Sequence, residues 1–374
     1  MLKNYVIIPD NNNDCTRCFN KGERMGSEHG GLNYSELRKL GISPDDVLDF
    51  SVSINPDPLP DSVLEDIRNS CIIRYPDSDS GLLKNSIAAY NNIETDSILV
   101  VNGTSQGMFL IVSSLLKENQ CVAIVEPTYS EYYDACRLKT DNIISVRMTP
   151  QESFRISTSR ILETVQSKKP ALLWLCSPNN PTGSYLNEED FETIRKACVQ
   201  EGTLLILDEA YVCFVQEKKR YNPLREGVIV LRSMTKDFSI PGLRLGYILS
   251  SPTIIQRIKK WQPEWSISAP AQVAGVAGFR ELDYFKNSWR KTTERRDFLK
   301  KNLEDLGLTV YDSCSNFFLV EVDDAEALKT HLWKDLILVR DCSSFSLVNT
   351  IRIGIRTDED NHKLIQSFKS YLKK

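Results

Sequence analysis

Five polar segments follow short apolar runs in this chain, and their residues are of the types that carry chemistry on amines. After ILVV (Ile98 to Val101) comes Asn102-Gly103-Thr104-Ser105-Gln106-Gly107, leading into a helical stretch whose first free N–H groups suit a phosphate. After VAIV (Val122 to Val125) comes EPTYSEY, with the ring of Tyr129. After ALLWLC (Ala171 to Cys176) comes SPNNPTG, with Asn180, and after TLLIL (Thr203 to Leu207) comes DEAY, with Asp208 and Tyr211. After VIVL (Val228 to Leu231) come Ser233, Met234, Thr235 and Lys236, followed by Arg244 in IPGLRLGY. Each piece alone has an ordinary explanation. Gly and Thr cap helices, Asp208 and Glu209 suit a helix start, SPNNPTG makes turns, and a single lysine is normally solvated surface. NGTSQG is neither a Walker loop nor GxGxxG. The ordinary readings fail for the set, because acid, amide, lysine, arginine and helix start would all have to converge by accident.

A compound that needs this whole set is pyridoxal 5'-phosphate. Its aldehyde must condense with a lysine amine, its ring nitrogen needs a carboxylate to stay protonated, and its phosphate needs a helix terminus, hydroxyls and a cation. Lys236, Asp208, and the group Thr104, Ser233, Thr235 and Arg244 supply these, with Gly103 and Ser105 beside Thr104. Asn180 and Tyr211 can hydrogen-bond the ring hydroxyl, and Tyr129 can stack on the ring face. Charge-assisted bonds of this kind fix the ring plane, which decides which bond at the substrate Cα breaks.

The elements that must position these residues are strands buried on both faces, because the apolar runs are continuous rather than alternating. A sixth run, GYIL (Gly246 to Leu249), belongs with them. Amphipathic stretches lie between, such as Glu188 to Glu201 with Phe191, Ile194, Cys198 and Val199 as its stripe. Strand alternating with helix predicts an α/β fold with a mostly parallel, doubly wound sheet, whose ligands collect outside the carboxyl ends of its strands. After Trp261 the pattern turns helical through Leu306. Two β-like stretches, NFFLVEV and TIRIGIR, then flank a helix, and a last helix starts at Asp358, which predicts a smaller α+β domain. The expected division is an N-terminal segment, 1–48, packing on both domains; a large α/β domain, 49–262; and a small domain, 263–374.

Composition narrows the function. At 374 residues, with 41% hydrophobic and 26% charged residues, the chain reads as a soluble two-domain globular protein. Its 50 acids against 46 bases give no positive field to draw nucleic acid or anionic lipid. Ten cysteines are scattered, several within apolar runs, which suits a reducing cytosol. Cys15 and Cys18 have the spacing of half a zinc site, but nothing nearby completes it, so no metal is expected. The N-terminus has neither a signal-peptide core nor a membrane span.

SPNNPTG, LDEAY and the segment from Ser233 to GLRLGY resemble the fold-type I pyridoxal-phosphate enzymes of the aminotransferase class I/II group, near histidinol-phosphate aminotransferase. More narrowly, EHGGLNY, GISPDDVLDFSVSINP, RYPDSD, SMTKDFSIPGLRLGY and the Trp-Ser of PEWSIS resemble the threonine-phosphate decarboxylases of cobamide (cobalamin) biosynthesis. The resemblance implies decarboxylation of L-threonine O-3-phosphate, or of O-phospho-L-serine as in relatives sharing the motifs, to an amino-alcohol phosphate and carbon dioxide. Its alternative is an aminotransferase acting on a phosphorylated amino compound. Two departures stand out: PEWSIS ends in Ser268 where those decarboxylases often carry Asn, and DEAY has the tyrosine typical of the aminotransferases. The resemblance further implies a cytoplasmic homodimer in which Tyr75 reaches the cofactor phosphate of the neighbouring subunit. It has Arg340 and Arg352 binding the substrate's anionic groups, and His29 and Asn55 lining the substrate side. Lys236, Asp208 and Tyr211 are the implied catalytic residues.

Overall fold

The computed structural model describes residues 30–222 and 224–373. Its strands are β1 (Leu48–Asp49), β2 (Ile98–Val101), β3 (Val122–Glu126), β4 (Ile143–Arg147), β5 (Leu172–Cys176), β6 (Leu204–Asp208), β7 (Val228–Ser233), β8 (Gly246–Leu249), β9 (Phe317–Glu321), β10 (Ile337–Leu338), β11 (Arg340–Asp341) and β12 (Thr350–Gly354). Seven of them form one sheet in the order β2-β8-β7-β6-β5-β3-β4. Within it only β8 runs antiparallel to its neighbours β2 and β7, so the expected mostly parallel sheet is present. All six apolar runs are strands of it.

The period of two along each strand divides the core in two. Leu173, Leu175, Leu205, Leu207, Val228 and Val230 face one apolar cluster, which takes in Phe191, Ile194 and Cys198 of the helix Glu188–Glu201. Leu172, Trp174, Ile206, Ile229 and Leu231 face the other, which takes in Met108, Ile111 and Val112 of the helix Gly103–Leu115. Helices therefore cover both faces, as strands without a polar face require. The helix Glu188–Glu201 starts where Asn187 accepts a hydrogen bond from the Asp190 N–H at 2.9 Å and stops at Gly202, whose φ is +75°. Val199, expected in its stripe, lies at the stripe's margin, 37% exposed.

A smaller antiparallel sheet, β11-β12-β9, and the parallel pair β1-β10 lie over a third apolar cluster. That cluster includes Phe50 as well as Leu299, Leu303, Leu364 and Phe368. The helix Leu282–Glu304 spans two clusters: Phe285 and Trp289 pack with the large sheet, Leu299 and Leu303 with the small one. We therefore propose that the small unit takes in Leu48–Phe50 and resumes midway along this helix. Among the described residues no helix is long and apolar enough to cross a membrane, and no group of three or more His, Cys, Asp or Glu is placed to hold a metal ion.

Candidate active site

The large sheet's topology puts the carboxyl ends of β2, β3, β5, β6 and β7 along one edge, and antiparallel β8 starts there, just after Arg244. At the end of β2 the chain turns directly into its helix through Gly103, whose φ is +71°, a conformation that favours glycine. A Cβ on Gly103 would lie 3.0 Å from Arg244 Nη2, so the guanidinium sits against the helix start. A Cβ on Gly246 would lie 3.1 Å from the Thr104 N–H nitrogen. Gly246 is also the cross-strand partner of Ser233, whose buried hydroxyl is 2.7 Å from that of Thr235. Backbone N–H groups, two hydroxyls and a guanidinium thus border one small space, which suits a phosphate.

Asp208 ends β6 and is buried. Its Oδ1 accepts from the Ala210 N–H at 2.9 Å, and its Oδ2 accepts from the Tyr132 hydroxyl at 2.7 Å. Burial pushes its carboxyl up to about 6, with the Tyr132 bond pulling the other way. Tyr132 is itself fully buried and stacks on Trp174, ring centroids 4.9 Å apart. Sequence reasoning missed this tyrosine. The available signal was its place three residues after Tyr129 in TYSEYY, a helical spacing that puts both rings on one side. The two rings meet edge to face at 6.0 Å, and burial raises the Tyr129 hydroxyl to about 12 while a hydrogen bond with Ser105 lowers it. Replacing Tyr132 with Phe removes one of two hydrogen bonds to a buried carboxylate. A bond to a charged group contributes about 1.5–3 kcal/mol, so kcat/KM is expected to fall about 10-fold with the fold intact. Unchanged steady-state kinetics in Tyr132→Phe would assign that bond to packing alone.

Lys236 sits in a one-turn helix, Met234–Asp237, after β7. Burial, Arg352 and Arg244 together bring its amine down to about 8, and no hydrogen bond or ion pair reaches that amine among the described residues. Tyr211 is buried edge-on to Phe317, with its hydroxyl raised by burial and Arg352 pulling it back. Arg352, on β12, donates through Nη1 to Asn180 Oδ1 and through Nη2 to the Ser51 carbonyl at 2.6 Å, while its buried Nε has no partner. Arg340, on β11, is its cross-strand partner and donates to Ser344 Oγ at 2.8 Å.

Most of the expected residues therefore converge on one edge of the large sheet: Gly103, Thr104, Ser105, Tyr129, Asn180, Asp208, Tyr211, Ser233, Thr235, Lys236 and Arg244, with Arg352 bonded to Asn180. Tyr75 is 79% exposed and stacks on Trp265 at 4.5 Å, so it faces outward rather than into its own chain's site. His29, like Cys15 and Cys18, lies outside the described residues. Asn55, expected to line the substrate side, has protein partners of its own. Its amide is buried and occupied, donating to the Asp237 carbonyl at 3.2 Å and accepting from Ser288 Oγ at 2.8 Å. These bonds fix the side chain against the backbone that follows Lys236 and leave the second N–H of its amide without a protein partner.

These features fit a lysine-bound pyridoxal 5'-phosphate: a helix-start cradle that a Cβ would fill, an unpartnered buried amine, and a buried carboxylate at the end of the strand next to the lysine's. Fold and site together define an enzyme built around that cofactor. A family model, aminotransferase class I and II, matches residues 45–368, and the chain belongs to this family, whose members depend on pyridoxal 5'-phosphate. It is 32% identical to the threonine-phosphate decarboxylase of Salmonella typhimurium, over 93% of this chain and 97% of that one. It is 33% identical to histidinol-phosphate aminotransferase 2 of Archaeoglobus fulgidus, over 88% and 96%. The crystal structure of L-threonine-O-3-phosphate decarboxylase from Porphyromonas gingivalis superposes with a TM-score of 0.78 at 25% identity, covering 88% of this chain and all of that one.

Proposed function

We propose that this enzyme decarboxylates an O-phospho amino acid, L-threonine O-3-phosphate or O-phospho-L-serine, to the amino-alcohol phosphate and carbon dioxide, with its cofactor attached to Lys236. The observation that carries this reading is the pair Arg340 and Arg352. Arg340 and Arg352 are both buried and are cross-strand partners on β11 and β12, and Arg352 has no carboxylate partner among the described residues. Such a pair suits a substrate with two anionic groups, and guanidinium forks match both carboxylate and phosphate. The decarboxylase motifs in EHGGLNY and DFSVSINP favour loss of the carboxylate over loss of the Cα proton.

When bound, the cofactor supplies an electrophilic carbon for the substrate amine and a ring that accepts the electron pair left by the broken Cα bond. Asp208, held as the carboxylate by Tyr132 and the Ala210 N–H, keeps a proton on the ring nitrogen. Arg352 and Arg340 hold the anionic groups so that the carboxylate-bearing bond is the one presented. Lys236, whose amine burial brings down to about 8, would carry the proton that Cα takes up once carbon dioxide has left. Asn180 and Tyr211 would hold the ring hydroxyl, and Tyr129 would cover the ring face. Tyr75, displayed on the surface, completes the phosphate cradle of a second subunit in a homodimer.

The deciding assay follows purified, cofactor-loaded enzyme by mass spectrometry with each phospho amino acid, with and without 2-oxoglutarate. Amine phosphate formed independently of 2-oxoglutarate is expected. A keto product with glutamate would instead make the chain an aminotransferase, the reading that its similarity to histidinol-phosphate aminotransferase 2 favours. Arg352→Lys keeps the charge but loses the fork that spans Asn180, Ser51 and the free Nε. Losing a charged hydrogen bond of about 1.5–3 kcal/mol predicts a KM for the phospho amino acid raised roughly 10- to 100-fold, with the cofactor absorbance unaltered. A wild-type KM would remove Arg352 from the substrate site.

A further inference from the structure

The helix that carries Lys236 has four residues, too few to be held by its own hydrogen bonds. It closes with one bond, from the Phe238 N–H to the Met234 carbonyl at 3.2 Å. The carbonyls of Lys236 and Asp237 remain at its carboxyl end, where a helix leaves acceptors without intrahelical partners. Asn55 meets both. Its backbone N–H donates to the Lys236 carbonyl at 2.9 Å, and its side-chain amide donates to the Asp237 carbonyl at 3.2 Å. Trp289 Nε1 donates to that same Asp237 carbonyl at 2.8 Å. Asn55 is fixed in turn: Ser288 Oγ donates to its Oδ1 at 2.8 Å, and Ser239 Oγ donates to its carbonyl at 2.9 Å. Asn55, Ser288 and Trp289 are all buried. Four residues upstream, the Ser51 carbonyl takes Arg352 Nη2, so one extended segment touches both the arginine and the lysine of the site.

We propose that Asn55 is a positioning residue for Lys236, clasping the last two carbonyls of its one-turn helix and so setting the direction in which the amine projects. A lysine side chain is a flexible four-carbon stem, and here no hydrogen bond at the far end aims it. The backbone is the place where its direction is set. The clasp reaches Lys236 only through the main chain at the carboxyl end of its helix, so its loss slows reactions of the amine and leaves as they were the parts of the phosphate cradle that lie off this helix, Gly103–Ser105, Ser233 and Arg244. This inference rests on the reading that Lys236 is the cofactor's attachment point.

The test uses full-length apoenzyme of wild type, Asn55→Ala and Ser288→Ala. Attachment of pyridoxal 5'-phosphate, in which the lysine nitrogen bonds to the aldehyde carbon and water leaves, is followed by visible absorbance. Binding of pyridoxine 5'-phosphate, which has the phosphate and ring but no aldehyde, is measured alongside. Misplacing a reacting group by about 1 Å costs on the order of 10²-fold, and a loosened clasp is expected to slow attachment about 10-fold. Affinity for pyridoxine 5'-phosphate should be unchanged, and kcat should fall while KM holds. Attachment at the wild-type rate in folded Asn55→Ala overturns the proposal, as does a parallel loss of pyridoxine 5'-phosphate affinity, which is the mark of a general structural role. If Asn55→Ala does not fold, Ser288→Ala, which leaves Asn55 Oδ1 with only the Asp57 N–H at 3.4 Å, decides by the same two readouts. Peptide mapping after borohydride reduction separates the two levels. A label on a residue other than Lys236 sinks the functional reading, whereas a label on Lys236 that forms in the variant as fast as in wild type sinks only the clasp.

Discussion

Replacing Lys236 with Ala is expected to lower turnover by about 10⁴-fold, the upper range for losing a positioned proton-transfer group, while the protein still binds pyridoxal 5'-phosphate. The two halves of that result come from different parts of the site. Binding resides in the Gly103–Ser105 helix start, the Ser233 and Thr235 hydroxyls and Arg244, none of which the substitution touches. Chemistry resides in the amine. Burial, with Arg352 and Arg244, lowers its pKa from 10.5 to about 8, so near neutral pH it carries about 10²-fold more free base than an ordinary lysine. The sign follows: attachment in the wild type should speed up as pH rises toward about 8 and level off above it. Borohydride should fix the cofactor to wild type and not to Lys236→Ala. An active variant, or one whose cofactor is still fixed by borohydride, would overturn the assignment of Lys236.

The site could be read from sequence as far as each residue's role depends on its own strand end. Apolar runs of four to six residues identified six of the seven strands of the large sheet, and the polar residue types just beyond five of them named the cradle, the acid and the lysine. The edge strand β4 escaped because IISVR has partly exposed positions and no continuous apolar run. What sequence could not supply were pairings set by tertiary approach. Asn55 and Ser288 are 233 residues apart, Arg352 and Ser51 are 301, and Tyr132 and Asp208 are 76. No local period encodes such contacts. For Asn55 the motif places the residue near the site, and only the fold shows its bonds to the backbone behind the lysine. The pairing of Leu48 and Asp49, on either side of the expected boundary, with Ile337 and Leu338 is likewise a contact that no local pattern encodes.

Asp208→Asn should reduce kcat about 10³-fold, the upper range for deleting one preorganised electrostatic partner of the transition state, and should at the same time stabilise the apoprotein near neutral pH. Asparagine keeps the shape and removes the charge, so the ring nitrogen loses the carboxylate that would keep its proton. The stability half follows from burial. Desolvation raises the Asp208 pKa from 3.8 to about 6, so the folded state binds this proton more tightly than the unfolded chain does. That contribution to stability is fully present below about 3.8 and is lost as pH rises through about 6. Above that pH the wild-type apoprotein carries a charge that burial disfavours, held by the hydrogen bonds of Tyr132 and the Ala210 N–H and by the Lys236 charge. The substituted amide does not titrate, so the variant's Tm advantage should be greatest above about pH 6 and shrink as pH falls toward about 4. A functional carboxylate buried against its own solvation is a stability cost that catalysis maintains. A variant less stable than wild type at every pH would show that Asp208 holds the strand end together, and an unchanged kcat would show that the ring nitrogen does not depend on it.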